Sequence, residues 1–219
     1  MVQYQTQNVT SVGIAHFLEN NTVSDAVGYT LTLEGQNIYM LILPTANKTL
    51  CYSEENQTWF ELSSGVNGDR SRINSYAYCY GKHWVGDKDN GSLYQLDLNT
   101  FTDNGEEYKR ERITAPINGE TLGQAGASLM CKSLHVTMRT GVGNITGDVD
   151  PSIVFQYSID DGNSWSSEHW VKLGRLNEIK KVRFDHMITA REIRYRMYVT
   201  DNVDLSLHSA VLDVEPVQW

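Results

Sequence analysis

Residues 28 to 65 read GYTLTLEGQNIYMLILPTANKTLCYSEENQTWFELSSG. In and around them four short runs, Ala26–Leu33, Asn37–Leu43, Thr49–Ser53 and Thr58–Leu62, alternate apolar with polar residues or collect β-branched and aromatic ones. That is the pattern of half-buried strands. Glu34-Gly35, between the first two runs, is a dipeptide that accepts positive φ cheaply in a hairpin turn. The stretch therefore predicts a four-stranded antiparallel meander. Further along, similar runs recur at Ser75–Tyr80, Lys82–Val85, Ser92–Leu96, Tyr108–Thr114, Ser128–Thr140, Ser152–Ile159, Trp170–Leu173, Ile179–Phe184, Ile193–Thr200 and Leu205–Val214, making about fourteen strands. Turn dipeptides such as Asn67-Gly68, Asn90-Gly91, Asn118-Gly119 and Asp161-Gly162 punctuate them. One helix is predicted upstream, over Asn8 to Asn20, with Thr10 or Ser11 as cap and the Asn20-Asn21 pair as stop.

Internal similarity narrows the fold class. Tyr52 is followed seven residues later by Trp59, and Tyr94 by Phe101, each pair with an intervening acid, and the two tyrosines lie 42 residues apart. A looser third copy runs from Tyr157 to Trp165. A period near 40 to 45 residues with four strands per unit is that of propeller blades, whose faces are buried against neighbouring blades. The expected architecture is all-β, an antiparallel meander of about four propeller-like blades, an incomplete propeller included, with one short N-terminal helix. The expected division is 1–24 as helical segment, 25–120 as propeller-like blades, and 121–219 as further blades or a C-terminal β region.

The charge balance of 18 Lys and Arg against 27 Asp and Glu leaves the chain at −9, which disfavours non-specific attraction to DNA or to an anionic lipid surface. The balance is uneven. Lys172 to Arg196 holds eight basic residues against three acidic ones. Lys172, Arg175, Lys180, Lys181, Arg183, Arg194 and Arg196 form a basic stripe, read either as a solvated strand face or as a surface for an acidic partner. Cys51, Cys79 and Cys131 are far apart, odd in number and set in apolar runs, so buried free thiols made in a reducing cytoplasm are expected. The first ten residues have neither a basic nor an apolar signal region, and no eighteen-residue apolar window exists, so no membrane role is expected.

Ser158, Asp160, Gly162 and Trp165 follow the pattern S-x-D-x-G-x-x-W and look like an Asp-box, a hairpin turn in which the Asp accepts bonds from the turn's own amides. Asp-boxes occur in sialidases and other propellers as structural turns away from the active site, so an architectural role is expected for Asp160. A sialidase-like enzyme further needs three converging arginines and a tyrosine nucleophile activated by glutamate. The six histidines show no ligand spacing, and the acidic loops at Gly86–Gly91 and Gly147–Asp150 lack an EF-hand's length and terminal Glu. No catalytic, cofactor-binding or metal-binding constellation is found, and no enzyme activity is expected.

Three longer stretches, GYTLTLEGQNIYMLILPTANKTLCYSEENQTWFELSSG, WVGDKDNGSLYQLDLNTFTDNGEEYKRERITAPI from Trp84, and the run from Pro151 to Glu215, resemble the packaged-DNA stabilisation (tail hub, head-to-tail accessory) protein family of short-tailed phages. The specific parts are Leu-x-x-Pro44, Thr49-Leu-x-Tyr52, Gly86-Asp87 before Gly91-x-x-Tyr94, Thr102-Asp103-Asn-Gly105, and Leu173-Gly174-Arg175 ahead of Arg183-Phe184. The resemblance covers Val27 to Glu215, and members of the family are longer, so the chain is expected to correspond to the C-terminal part of such a protein. It implies a virion structural protein of the tail, made in the bacterial host cytoplasm, that plugs the portal channel, stabilises packaged DNA and docks tail spikes or a needle. Its implied partners are the portal, adaptor and tail proteins and further copies of itself in a ring that encircles DNA. It implies no catalytic residues. The Asp-box and the abundant tyrosines leave a second reading, a carbohydrate- or cell-surface-binding propeller module with a sialidase-like fold.

Overall fold

A computed structural model describes residues 8–142, 150–174 and 178–217. The chain divides after Leu98 into two compact units, each with its own hydrophobic core.

The first unit begins with α1 (Val12–Asn20), capped at Ser11, whose Oγ accepts from the Ile14 amide at 3.3 Å. Asn20 and Asn21 side chains donate to the carbonyls of His16 and Phe17, both at 2.8 Å, and so satisfy groups that a longer helix would have bonded. None of its residues is fully buried, and Val12 is 89% exposed. Then β1 (Val27–Leu33), β2 (Gln36–Leu43), β3 (Lys48–Ser53) and β4 (Thr58–Glu61) form the expected antiparallel meander in sequential order. Its first turn uses positive φ at Glu34 (47°) and Gly35 (81°). A small pair, β5 (Ser63–Ser64) with β6 (Asp69–Arg70), precedes a second meander of β7 (Ile73–Cys79), β8 (Lys82–Asp87) and β9 (Leu93–Gln95). Tyr52 and Tyr94 both sit on third strands of their meanders, which is what the 42-residue repeat encodes. Tyr52 faces Trp59 across β3 and β4, ring centroids 5.2 Å apart, whereas Phe101 lies outside any strand. Leu31, Met40, Ile42, Cys51, Ile73 and Val85 make the core of this unit.

The second unit holds β10 (Arg110–Ile113), β11 (Ile117–Asn118), β12 (Ser128–Val142), β13 (Ser152–Ser158), β14 (His169–Lys172), β15 (Glu178–Ala190), β16 (Glu192–Val199) and β17 (Asp204–Val217). Residues 121–219, expected as further blades or as a C-terminal β region, do not form sequential meanders. One sheet runs β10-β16-β13-β14, with β11 also on β16, and the other runs β15-β12-β17, so neighbours are not sequential. The cause is strand length and patterning. β12, β15 and β17 span 15, 13 and 14 residues, far longer than the four- to eight-residue strands of the first meander, and their alternating apolar residues meet those of the other sheet. Leu129, Val136 and Phe184 from one sheet share a core with Phe155, Ile193 and Tyr195 from the other, and Phe155 stacks on Phe184 at 5.5 Å and 10°. Two sheets closing one apolar layer make a sandwich. A bulge at Cys131/Ser133 lets one residue of β12 oppose two on β15.

One further expectation is corrected. All three cysteines are free, and Cys51 and Cys131 are buried, but Cys79 is exposed. It flanks the Tyr80-Gly81 turn joining β7 to β8, where the hairpin tip projects beyond the core and residues on both of its faces meet solvent.

Candidate functional site

Sequence singled out a turn and a basic stripe, and the fold brings parts of the two together on the outer face of the five-stranded sheet. The turn follows β13. Asp161 and Gly162 take positive φ, 60° and 88°, which reverses the chain. The Asp160 carboxylate accepts from the Ser164 amide at 2.8 Å, from the Ser164 hydroxyl, and from the Ser158 hydroxyl at 2.7 Å, while Ser158 Oγ accepts from the Gly162 amide at 2.8 Å. Ser164's hydroxyl and amide bonds, with that from Ser158, hold the Asp160 carboxyl down at about 2. It is therefore ionised throughout the neutral range.

β16 runs beside this turn. Register pairs Ser158 with Arg194, Gln156 with Arg196 and Val154 with Tyr198, and the alternation of β16 turns Arg194, Arg196 and Tyr198 away from the core that takes Ile193, Tyr195, Met197 and Val199. Arg194 forms an ion pair with Asp161. The Arg196 guanidinium lies 4.3 Å from the Trp165 ring centroid and donates through Nε and Nη2 to Gln156 Oε1, the former at 3.1 Å. Gln156 is buried, and its own amide donates to the Ser166 carbonyl at 2.6 Å. Glu168 then accepts from Tyr198 and from the Trp170 indole, the latter at 3.1 Å, and Lys109 lies over the Tyr198 ring at 5.5 Å. Desolvation, reinforced by its hydrogen bond to Glu168, pushes the Tyr198 hydroxyl up to about 12. The result is a patch of Trp165, Trp170, Tyr198 and Arg196, residue types that anchor protein interfaces, with Trp170 58% exposed.

The remaining stripe residues lie elsewhere. Lys172 ends β14 in the same sheet, whereas Lys180, Lys181 and Arg183 belong to β15 in the other, and Arg175 lies outside the described residues. Lys180 donates to the carbonyls of Lys172 and Leu173 at 3.0 and 3.3 Å, so its charge closes one end of the sandwich. Lys181 and Arg183 point outward, Arg183 beside Asp185. Proximity in sequence did not make one stripe in space.

Sequence reasoning did not foresee Gln156, the hub of the turn, or the polar chain inside the sandwich, where Tyr195 bonds His186 Nε2 at 2.6 Å and stands next to Cys131. For the polar chain the available signal was a polar residue at an inward-alternating strand position; Gln156 shares the outward face of Arg196 and carried no such signal. Burial raises the Tyr195 and Cys131 groups and lowers His186, so all three stay neutral near pH 7 and knit the core. Among the described residues no group of three or more His, Cys, Asp and Glu is placed to hold a metal, and no helix is long and apolar enough to cross a membrane. In the first unit a cleft of about 990 Å³ is lined by Tyr39, Tyr52, Tyr76, Tyr78, Asn37 and Glu54 among others.

Comparison with known proteins divides the chain in the same order as its folds. Residues 1–101 match the family model of the β-propeller of bacteriophage P22 Gp10, a phage stabilisation protein, and residues 116–215 match that of the Gp10 β-sandwich. No curated protein matches the chain. The first match takes in the residues ahead of Val27, where the resemblance seen in the sequence began, so the likeness is not confined to a C-terminal part. With a propeller match on the unit of sequential meanders and a sandwich match on the unit of two facing sheets, the chain belongs to the bacteriophage P22 Gp10 family of phage DNA-stabilisation proteins.

Proposed function

We propose that this phage structural protein sits in the tail hub, closes the portal channel against leakage of packaged DNA, and offers a docking surface for tail spikes or a needle. The observation that carries the reading is the succession of propeller and sandwich matches along the chain. In this role the portal, its adaptor and tail proteins are the partners, several copies form a ring around DNA without reading its sequence, and the chain acts without catalysis. A net charge of −9 suits a protein that surrounds DNA without adhering to it. The patch of Trp165, Trp170, Tyr198 and Arg196 suits a protein partner. The turn of Ser158, Asp160, Gly162 and Trp165 serves as the architectural support of that patch, through Arg194 and Arg196.

The test is a phage carrying a nonsense mutation in the corresponding gene, complemented with this chain. Particles without it should lose packaged DNA and fail to acquire tail spikes, and complementation should restore both. Purified chain should also bind a portal–adaptor assembly in negative-stain images. Particles that retain DNA and tails without the protein would overturn the assignment.

One observation favours a second reading, a carbohydrate-binding module. The cleft of the first unit presents several tyrosines beside Asn37 and Glu54, and aromatic faces with polar neighbours suit sugar rings. Glycan-array binding lost on Tyr78→Ala would support it. Turnover of any sialoside would contradict the non-enzymatic role.

A further inference from the structure

Among the described residues the three-stranded sheet has two long edges with no pairing strand. In the three-stranded sheet both outer strands, β15 and β17, pair only with β12 among the described residues. An exposed edge is a row of unpaired amides and carbonyls, and proteins that stay monomeric blunt such edges with charge, proline or short length. β17 does this only at its ends, with Asp204 at one and Asp213, Glu215 and Pro216 at the other. From Leu205 to Leu212 it reads LSLHSAVL, with no charged residue and no proline, and Ser206 to Val211 are all exposed. Val211 is 59% exposed, and at the opposite edge Ile179 is 62% exposed.

The outward faces of the two edges carry complementary patterns. On β15, Val182 and Phe184 face the core, so Ile179, Lys181 and Arg183 face out. On β17, Leu212 and Val214 pack on the core, so Val211, Asp213 and Glu215 face out. Both strands are antiparallel to β12 and hence parallel to each other. Read in the same direction, one edge presents an apolar residue followed by two cations, the other an apolar residue followed by two anions, with the same two-residue spacing. Within a copy Arg183 stands beside Asp185 and Glu215 pairs with Lys132 of β12, so those two charges are shared with any contact made there, whereas Lys181 and Asp213 face it directly. Within one molecule the two edges lie on opposite sides of β12 and do not meet.

We propose that copies of this chain join by strand addition, the β17 edge of one copy pairing in parallel with the β15 edge of the next, so that Val211 meets Ile179, Asp213 meets Lys181 and Glu215 meets Arg183. The charges select this contact. Pairing β15 with β15 sets Lys181 against Arg183, which repel, whereas the β17–β15 contact sets opposite charges together at both positions. Because the joined surfaces differ, the contact is head-to-tail and closes into a ring if the rotation between copies allows it. This deepens the ring proposed above by naming the strands that build it.

The experiment uses the full chain and sedimentation velocity across a range of concentration and salt. Wild type should form oligomers that weaken as salt rises. A variant with Lys181→Glu and Arg183→Glu, and another with Asp213→Lys and Glu215→Lys, should each lose the oligomer. Mixed in equal amounts they should assemble with each other, since every remaining contact then joins opposite charges, and this rescue excludes misfolding as the cause of the loss. Wild-type oligomers unaffected by either variant would overturn the strand contact while leaving the ring standing. Loss in both variants without rescue on mixing would also overturn it. A wild-type chain that stays monomeric throughout would overturn the contact and the self-assembled ring together.

Discussion

Gln156→Leu should unfasten the turn that carries the exposed aromatic patch. The buried amide does two things: its oxygen accepts from the Arg196 guanidinium, and its NH2 donates to the Ser166 carbonyl at 2.6 Å. Losing a charge-assisted bond costs about 2 kcal/mol, and leaving a part-buried carbonyl unbonded costs about 1.5 kcal/mol. Leucine offsets part of this through its greater apolarity, by about 0.5 kcal/mol. The net loss is therefore about 3 kcal/mol, or a fall of about 12 °C in Tm for a unit of this size. Urea unfolding followed by tryptophan fluorescence measures it. The same experiment on Arg196→Met, and on both changes together, separates the pair from its surroundings. Coupling of at least about 1 kcal/mol is expected, along with altered native emission as the guanidinium leaves the Trp165 face. A loss below about 1 kcal/mol, or coupling near zero, would refute the assignment of Gln156 as the hub of the turn.

Phe155→Ala removes a fully buried ring stacked on Phe184 and should destabilise the sandwich by about 4 kcal/mol in the same urea assay, with the first unit's transition unmoved. Of the three thiols, Cys79 should react with a maleimide within minutes, while Cys51, whose thiol burial pushes up to about 12, and Cys131 should react only on unfolding; mass spectrometry of digests after timed quenching reads this out. Burial lowers the His186 imidazole below its ordinary 6.5, although the Phe184 carbonyl and Asp185 pull the other way. The unfolded chain then binds more protons, so stability is full above about 6.5 and falls as pH drops toward the depressed folded value. His186→Asn should flatten that part of the stability–pH curve measured by thermal melts at pH 7.5 and 5.5, and an unchanged slope would argue that other groups produce it.

Much of the local structure was written in adjacent residues. Ser11 and the Asn20-Asn21 pair marked both ends of the helix, Glu34-Gly35 marked a hairpin, and the spacing of Tyr52 and Tyr94 marked equivalent strands in two meanders. The Ser158-to-Trp165 pattern identified a turn whose hydrogen bonds are all local, within six residues of one another. These features depend on propensity and short-range bonding, which a chain carries wherever it folds. What Gln156, Arg194 and Arg196 do was not readable in this way, because their partners lie up to 40 residues away and are set by the register of β13 against β16.

The sequence alone therefore determined the all-β character, the helix, most turns and, through its resemblance to a phage family, the class of protein. Only the tertiary structure decided that the second half is a sandwich, that the basic stripe is divided between two sheets, and that Cys79 is exposed while its two counterparts are buried. The reason is common to all three. Alternation states that a strand has an inner and an outer face, but which strand lies beside it, and which face a neighbouring sheet covers, follow from long-range pairing that minimises exposed apolar area across the whole unit.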